Sequence, residues 1–296
     1  MNRSIPIGKD GEFMFLAPML TGRQESPFVD DRYIVEPKLD GQRLILSMEH
    51  GHLRIYSAHG FDLTSQYPEF HWLPVADNED VVLDGIAIAV DPETGRGNPD
   101  WLAKRYRMSK QMDIKEASMR NPLHCFVIDI LRYKGEDIRE RPLAERKELL
   151  SEAMESNLRF SRIPYIDHPD RGLTDSLRGS SMEGLVAKDK RSAYRSGKND
   201  SWLLIRNYRY FNARIAGYRK NQFGWLVESG EEWRSIVTDS VPAAYRQAFY
   251  GIAKLLVTGE DKDYVYVRPE IEACLRYAKQ RPDGTPFQPE FVRFVV

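Results

Sequence analysis

The chain has 296 residues, 42% of them hydrophobic and 29% charged, which is enough apolar material for two ordinary domains with sizeable cores. A formal net charge of −1 excludes a uniformly basic nucleic-acid binder, so any such contact rests on local patches. No run approaches the ~18 apolar residues of a membrane span, and Met1-Asn2-Arg3-Ser4-Ile5-Pro6 lacks an apolar signal core; a cytoplasmic protein without membrane contact is expected.

In chain order, strand-like runs fall at 33–35, 43–47, 53–56, 81–90, 125–130 and 185–188. Helical periodicity covers 101–118 and 142–155. The second stretch opens on Pro142 and carries Leu143, Leu149, Leu150 and Met154. Near Tyr208 the pattern changes. Runs at 213–218 and 223–228 flank Lys220-Asn221-Gln222 as a hairpin, and strands at 264–267 and 291–295 accompany one helix at 243–256. Short strands around a single helix suit a small, partly open barrel. The expected division is a mixed α+β domain over 1–208 and a small barrel over 209–296, with no repeats and no long linker. Cys125 and Cys274 lie far apart in apolar contexts, so two buried thiols are expected, and no Cys/His spacing suggests zinc.

The richest stretch for chemistry is Glu36-Pro37-Lys38-Leu39-Asp40-Gly41-Gln42-Arg43, directly after the strand-like Tyr33-Ile34-Val35. Residues i and i+2 of a strand share a face, which would put Glu36, Lys38 and Asp40 on one pocket wall, with Gly41 allowing a turn and Arg43 following. A lysine can act as a covalent nucleophile once its pKa is lowered, and arginine grips phosphate oxygens through a rigid fork. Lysine at its ordinary pKa near 10.4 is almost wholly protonated; lowering it by about three units costs roughly 4 kcal/mol, within reach of burial and nearby cations. Alone, the string also fits an exposed strand-to-turn junction.

Downstream segments narrow the choice. They are Ile55-Tyr56-Ser57-Ala58-His59-Gly60, Val81-Val82-Leu83-Asp84-Gly85, Phe126-Val127-Ile128-Asp129, Met182-Glu183-Gly184-Leu185-Val186-Ala187-Lys188, Tyr194-Arg195-Ser196-Gly197-Lys198 and Ser201-Trp202-Leu203-Leu204-Ile205-Arg206. In this order and spacing the chain resembles the covalent nucleotidyltransferases, most nearly the ATP-dependent DNA ligases of the small bacterial and phage type. No P-loop string is present, so ATP is not held that way.

The resemblance implies an α+β nucleotidyltransferase (adenylation) domain followed by an OB-fold β-barrel that binds DNA. It implies ATP and Mg²⁺ as cofactors, nicked double-stranded DNA as partner, a monomer, and a place in DNA replication, repair or recombination. By position, Lys38 is the adenylated nucleophile. Glu36 helps recognise adenine. Asp40, Gly41 and Arg43 serve the ribose and phosphate side. Ile128 covers the base, Glu183 binds metal, and Lys188 and Arg206 approach the phosphates.

Four positions depart from the family pattern. Ala58 replaces an arginine, Ile86 a glutamate, Ile128 a phenylalanine, and Leu204 the first lysine of a Trp-x-Lys-x-Lys string; Arg206 and Lys198 are the nearest cations in sequence. A ligase-fold protein that binds nicks with weak or no catalysis, and a related RNA ligase or capping enzyme, are therefore the alternatives. For DNA contact the sequence offers Lys104-Arg105-Tyr106-Arg107-Met108-Ser109-Lys110, with Lys115 and Arg120, which reads equally as a solvated helix face. From Arg209 onward there are 13 basic against 11 acidic residues, a sign suited to DNA but too small to decide.

Overall fold

A computed structural model of the chain describes residues 15–24, 30–76, 80–91, 93, 95, 97–180, 182–229, 233–238, 241–281 and 283–295. The expectation for residues 1–6 lies outside these. By contacts, the chain divides into two compact units. The first takes the residues up to Ser176 together with Leu185–Ile205; the second takes Leu177–Gly184 and Arg206–Val296. The second unit thus joins the C-terminal part of the chain to a short segment from mid-chain. The amide of Asn207 shows why: its nitrogen donates to the carbonyls of Leu177 at 2.7 Å and Met182 at 3.0 Å.

The strands and helices follow in order as β1 (Met19–Gln24), β2 (Tyr33–Pro37), β3 (Gln42–Glu49), β4 (His52–Ser57), β5 (Val81–Ala89), α1 (Pro99–Arg107), α2 (Gln111–Arg120), β6 (Leu123–Tyr133), β7 (Glu136–Asp137), α3 (Leu143–Ala153), β8 (Phe160–Arg162), α4 (Arg171–Gly179), β9 (Gly184–Asp189) and β10 (Gly197–Arg206). They build two sheets. One has the order β4-β3-β5-β6-β7, with β8 on β6; the other has the order β1-β10-β9-β2. Along β3, Leu44, Leu46 and Met48 join one buried cluster while Ile45 joins another. Both faces of that strand are therefore covered, which is why its sequence reads as an unbroken apolar run. The second cluster takes Ile45, Val82, Ile128 and Leu131 from one sheet and Met19 and Trp202 from the other.

The expected helix over 101–118 is two helices, α1 and α2. Asn98 caps α1 by accepting from the Trp101 N–H at 3.2 Å, and Met108 leaves the helix with an extended ψ of 135°. Neither glycine nor proline marks the break. Tertiary packing sets it: Arg105 and Ile114 are both buried, and the Arg105 guanidinium donates to the Ile114 carbonyl at 3.3 Å.

The second unit continues with β11 (Arg209–Arg219), β12 (Trp225–Ser229), β13 (Trp233–Val237), α5 (Ala243–Ala253), β14 (Val257–Glu260), β15 (Tyr264–Val267), β16 (Glu272–Tyr277), β17 (Lys279–Gln280), β18 (Pro286–Phe287) and β19 (Glu290–Phe294). β11 is its spine. One end pairs with β12 and β15, the other with β16, which in turn pairs with β19. A strand shared in this way curls the sheet. Trp225 is wholly buried inside the curl, among Ile215, Val227, Phe249, Leu275 and Phe291. This is an OB-like arrangement, and it contains the expected 213–218/223–228 hairpin. Cys274 here is only half-buried, whereas Cys125 in the first unit is fully buried; both are free thiols.

Candidate active site

The first unit gathers charged side chains on the face that carries Ile128 and Trp202. Glu36 and Lys188 lie on adjacent antiparallel strands, with Glu36 opposite Val186 and Ile34 opposite Lys188. That register turns both side chains to one face, where Glu36 Oε2 lies 2.7 Å from Lys188 Nζ. The other oxygen, Oε1, lies 2.5 Å from Nζ of Lys147, which arrives from α3. Glu36, Lys147 and Lys188 are all buried. Lys188 also sits over the Trp202 ring at 3.8 Å from its centroid. Burial pushes the Lys188 pKa down to about 8, against the pull of Glu36. Both carboxylate oxygens of Glu36 are thus engaged by lysines, a constraint that the adenine role expected for it must meet.

Beside this group stands a second one. Arg43 pairs through its Nε and Nη2 with the fully buried Asp84, and donates to the Met19 carbonyl at 3.3 Å. Tyr194 donates to Asp84 at 2.6 Å and accepts from the Met19 N–H at 2.9 Å. Burial opposes the charge on Arg43, but Asp84 outweighs it and holds the pKa above the ordinary guanidinium range. Burial, then Asp84, pushes the Tyr194 hydroxyl well above the usual phenol range. Arg43 was expected to serve ribose and phosphate; its fork is bound to a carboxylate within the protein.

Lys38 and Asp40 follow the end of β2 at Pro37, so they do not alternate with Glu36 along a strand as expected. They lie on the short connection to β3, with Lys38 half-buried and Asp40 exposed. Leu39 packs against the same cluster as Ile128. The chain bends at Gly41 as expected, but the need for glycine there is a second one. Its φ is not positive, but a Cβ there would lie 2.6 Å from Ile86 Cγ2 and 2.7 Å from Ile88 Cγ2. Glycine lets the chain press against β5. Ile128 is buried on the site face, and Ile86 and Phe126 pack partly buried against the same cluster. Ile86 is the register partner of both Arg43 and Phe126. Phe126 therefore supplies an aromatic ring two residues before Ile128. Ala58 sits in the turn closed by the Gly60 N–H to Ser57 carbonyl bond of 3.0 Å.

Glu183 and Arg206 belong to the second unit. Glu183 Oε1 lies 3.5 Å from Lys279 Nζ, and the Arg206 Nε is buried without a hydrogen-bond partner among the described residues. Within that unit, Arg219, Lys220, Asn221, Gln222, Phe223 and Arg246 line part of an open groove of about 420 Å³. Among the described residues, no cluster of three or more His, Cys, Asp or Glu could hold a metal ion.

The basic run at 104–110 is less available than expected. Arg105 is buried in an ion pair with Glu69 at 2.7 Å and also donates to the Gln66 carbonyl at 2.8 Å. Arg120 pairs with Glu116 at 2.9 Å. Lys115 lines a groove of about 920 Å³ with Arg54 and Arg159, but Asp62 and Glu69 share it. Asp84, Tyr194, Trp202 and Phe126 all stood in recognisable strings without an assigned role; Lys147 did not. Lysine in an otherwise ordinary amphipathic helix gave no signal that it would be buried.

Residues 18–206 match the family described as ATP dependent DNA ligase domain. The SPbeta prophage-derived DNA ligase-like protein LigB of Bacillus subtilis (strain 168) is 31% identical over 269 residues, covering 86% of this chain and 90% of that protein. A DNA ligase of Caldivirga maquilingensis is 26% identical over 266 residues; the chain spans 41% of its length. In fold, the chain resembles a mycobacterial DNA ligase D complexed with ATP and MES, with a TM-score of 0.56 at 22% identity and 95% of each chain covered. It also resembles a Lig E DNA ligase, with a TM-score of 0.62 at 13% identity, over 95% of this chain and 100% of that one. The family match over residues 18–206 and the similarity to the Bacillus subtilis protein along most of both chains make the chain a member of the ATP-dependent DNA ligase family.

Proposed function

We propose that this protein seals nicks in duplex DNA through a lysine–AMP intermediate on Lys38. The observation that carries the reading is the position of Lys38: one residue past β2, beside a buried Glu36 that holds two lysines. The neutral Lys38 amine attacks the α-phosphorus of ATP. A P–N bond forms, the bond to pyrophosphate breaks, and the amine's proton passes to solvent. The AMP moves to the 5′-phosphate of the nick, which restores the lysine. The 3′-hydroxyl then attacks that phosphate, a phosphodiester forms, and AMP leaves.

Such transfers depend on positioning and charge neutralisation more than on covalent work by the protein. Lys188 is the built-in cation for the phosphates, oriented by Glu36, which Lys147 anchors from the other side. Ile128, Ile86 and Phe126 offer the apolar wall for the base. Arg43 with Asp84 and Tyr194 fixes β1 against β3 and β5, a supporting part beside the nucleotide. Asp40 serves the ribose side. Mg²⁺ keeps several waters and takes one or two carboxylates plus substrate phosphates, and Glu183 is the carboxylate the family pattern offers for it. The metal would neutralise the charge building on the triphosphate.

In the second unit, Arg219, Lys220 and Arg246 form a cation group suited to DNA phosphates. The chain is read as two domains, 1–208 and 209–296. The protein is read as a cytoplasmic monomer; no described helix is long and apolar enough to cross a membrane.

The test is a nick-sealing assay on a labelled duplex with ATP and Mg²⁺. The expected outcome is ligated strand from the parent and none from Lys38→Ala. A chain that retains nicked duplex yet forms neither adduct nor product would instead be a binding protein of ligase fold, the reading that Ala58 and Leu204 favour.

A further inference from the structure

Leu204 stands where the family carries a lysine, and leucine has no charge to offer a phosphate. The strand beside it does. β1 and β10 run parallel, and Arg23 is the register partner of Leu204. Register partners on neighbouring strands project to the same face. Which face this is follows independently from Met19. Met19, Thr21 and Arg23 alternate onto one side of β1. Met19 is fully buried in the cluster of Ile128, Tyr194 and Trp202, the face that also holds Lys188 and Glu36.

The irregularity between these strands does not disturb that alternation. Thr21 pairs with Asn199 and Gly22 with Leu203, so the unmatched residues 200–202 are all on β10. The opposite face is occupied separately: a Cβ on Gly22 would lie 3.5 Å from Leu203 Cδ2. Arg23 itself is exposed, as a side chain waiting for a ligand must be. The cations that sequence offered as substitutes are placed less well. Lys198 pairs with Leu20, on the face turned away from Met19, and Arg206 lies past Ile205, the last residue of β10 that pairs with β1.

We propose that Arg23 takes the place of the missing lysine and binds the α-phosphate of ATP. This rests on the reading of Lys38 as the adenylated residue. A guanidinium presents a planar fork to two phosphate oxygens, so it does the same electrostatic work from the adjacent strand. The lost charge at Leu204 is then a relocation rather than a deficit.

The experiment has two arms. Equilibrium ATP binding is measured in the Lys38→Ala protein, which cannot form the adduct, and self-adenylation is timed in single turnover with Lys38 present. Arg23→Gln weakens ATP binding about tenfold and slows adenylation about a hundredfold, the scale of losing one charged donor. Arg23→Lys retains most of both. Leu204→Lys rescues Arg23→Gln, because it returns a cation to the same face, but adds little to the parent; a merely structural arginine would not be rescued that way. Unchanged ATP binding and adenylation in Arg23→Gln would overturn the assignment, as would a loss that neither Arg23→Lys nor Leu204→Lys repairs. ATP binding that depends on Arg23 without any adduct would overturn the covalent reading and leave the Arg23 contact standing. A chain that binds no ATP overturns both.

Discussion

Glu36 Oε2 lies 2.7 Å from Lys188 Nζ in the interior of the first unit, and Lys147 closes on the other oxygen at 2.5 Å. One carboxylate therefore serves two buried lysines. Removing it should leave two uncompensated ammonium groups. Glu36→Gln is expected to lose about 3–5 kcal/mol of unfolding free energy, the cost of breaking a buried ion pair from one side. Pairing it with Lys147→Met should recover part of that loss. Urea denaturation of both variants checks this; additive losses would mean the three groups do not act as one cluster.

Lys188 gives a pH dependence with a definite sign. Its folded-state pKa, about 8, lies below the ordinary 10.5 because of burial. Between those values the unfolded chain binds more protons, so this group's contribution to stability improves as pH rises through that window. Below about pH 8 the burial penalty, roughly 3 kcal/mol, is fully present. ATP binding should run the other way. Phosphate binds the charged form, so affinity in the Lys38→Ala protein should fall from pH 7 to pH 9. Calorimetry on that protein and on its Lys188→Met version tests the assignment; an equal decline in both would remove Lys188 from it.

Asp129 and Arg146 form a fully buried bidentate pair at 2.9 and 2.8 Å, and Arg146 also donates to the Ser192 carbonyl at 2.9 Å. Asp129→Ala should cost about 3–5 kcal/mol by stranding the guanidinium. The double variant Asp129→Leu/Arg146→Met should be less damaged than Asp129→Ala alone. The comparison is made by thermal unfolding.

For DNA, replacing both Arg219 and Arg246 by glutamine should flatten the salt dependence of nicked-duplex binding. Each lost phosphate contact lowers the log–log slope by about 0.9, so the double change lowers it by about 2. Self-adenylation should be unaffected, since neither residue is among those assigned to the nucleotide. A slope equal to the parent's would move the contact elsewhere.

Much of the fold was legible because strand and helix periods are local properties. The runs at 33–35, 43–47, 81–90 and 125–130 all became strands, and the 213–228 hairpin formed as read. What failed was set by distant contacts. The split of the 101–118 helix depends on Arg105 reaching Glu69 and Ile114. Strand β1 runs through a stretch without period-2 alternation, and its place beside β10 comes from long-range pairing. The same limit applied at the site. Lys38, Glu36 and Lys188 announced themselves as motifs, but nothing local says that Lys147 will be buried on Glu36, or that Arg23 will stand beside Leu204.

The central claim is that Lys38 becomes covalently adenylated. Purified protein incubated with ATP and Mg²⁺ and weighed intact, followed by peptide mapping, tests it most directly. The account predicts one added AMP, located on Lys38 and absent from Lys38→Ala. No adduct in the parent, or an adduct that persists in Lys38→Ala, would contradict it.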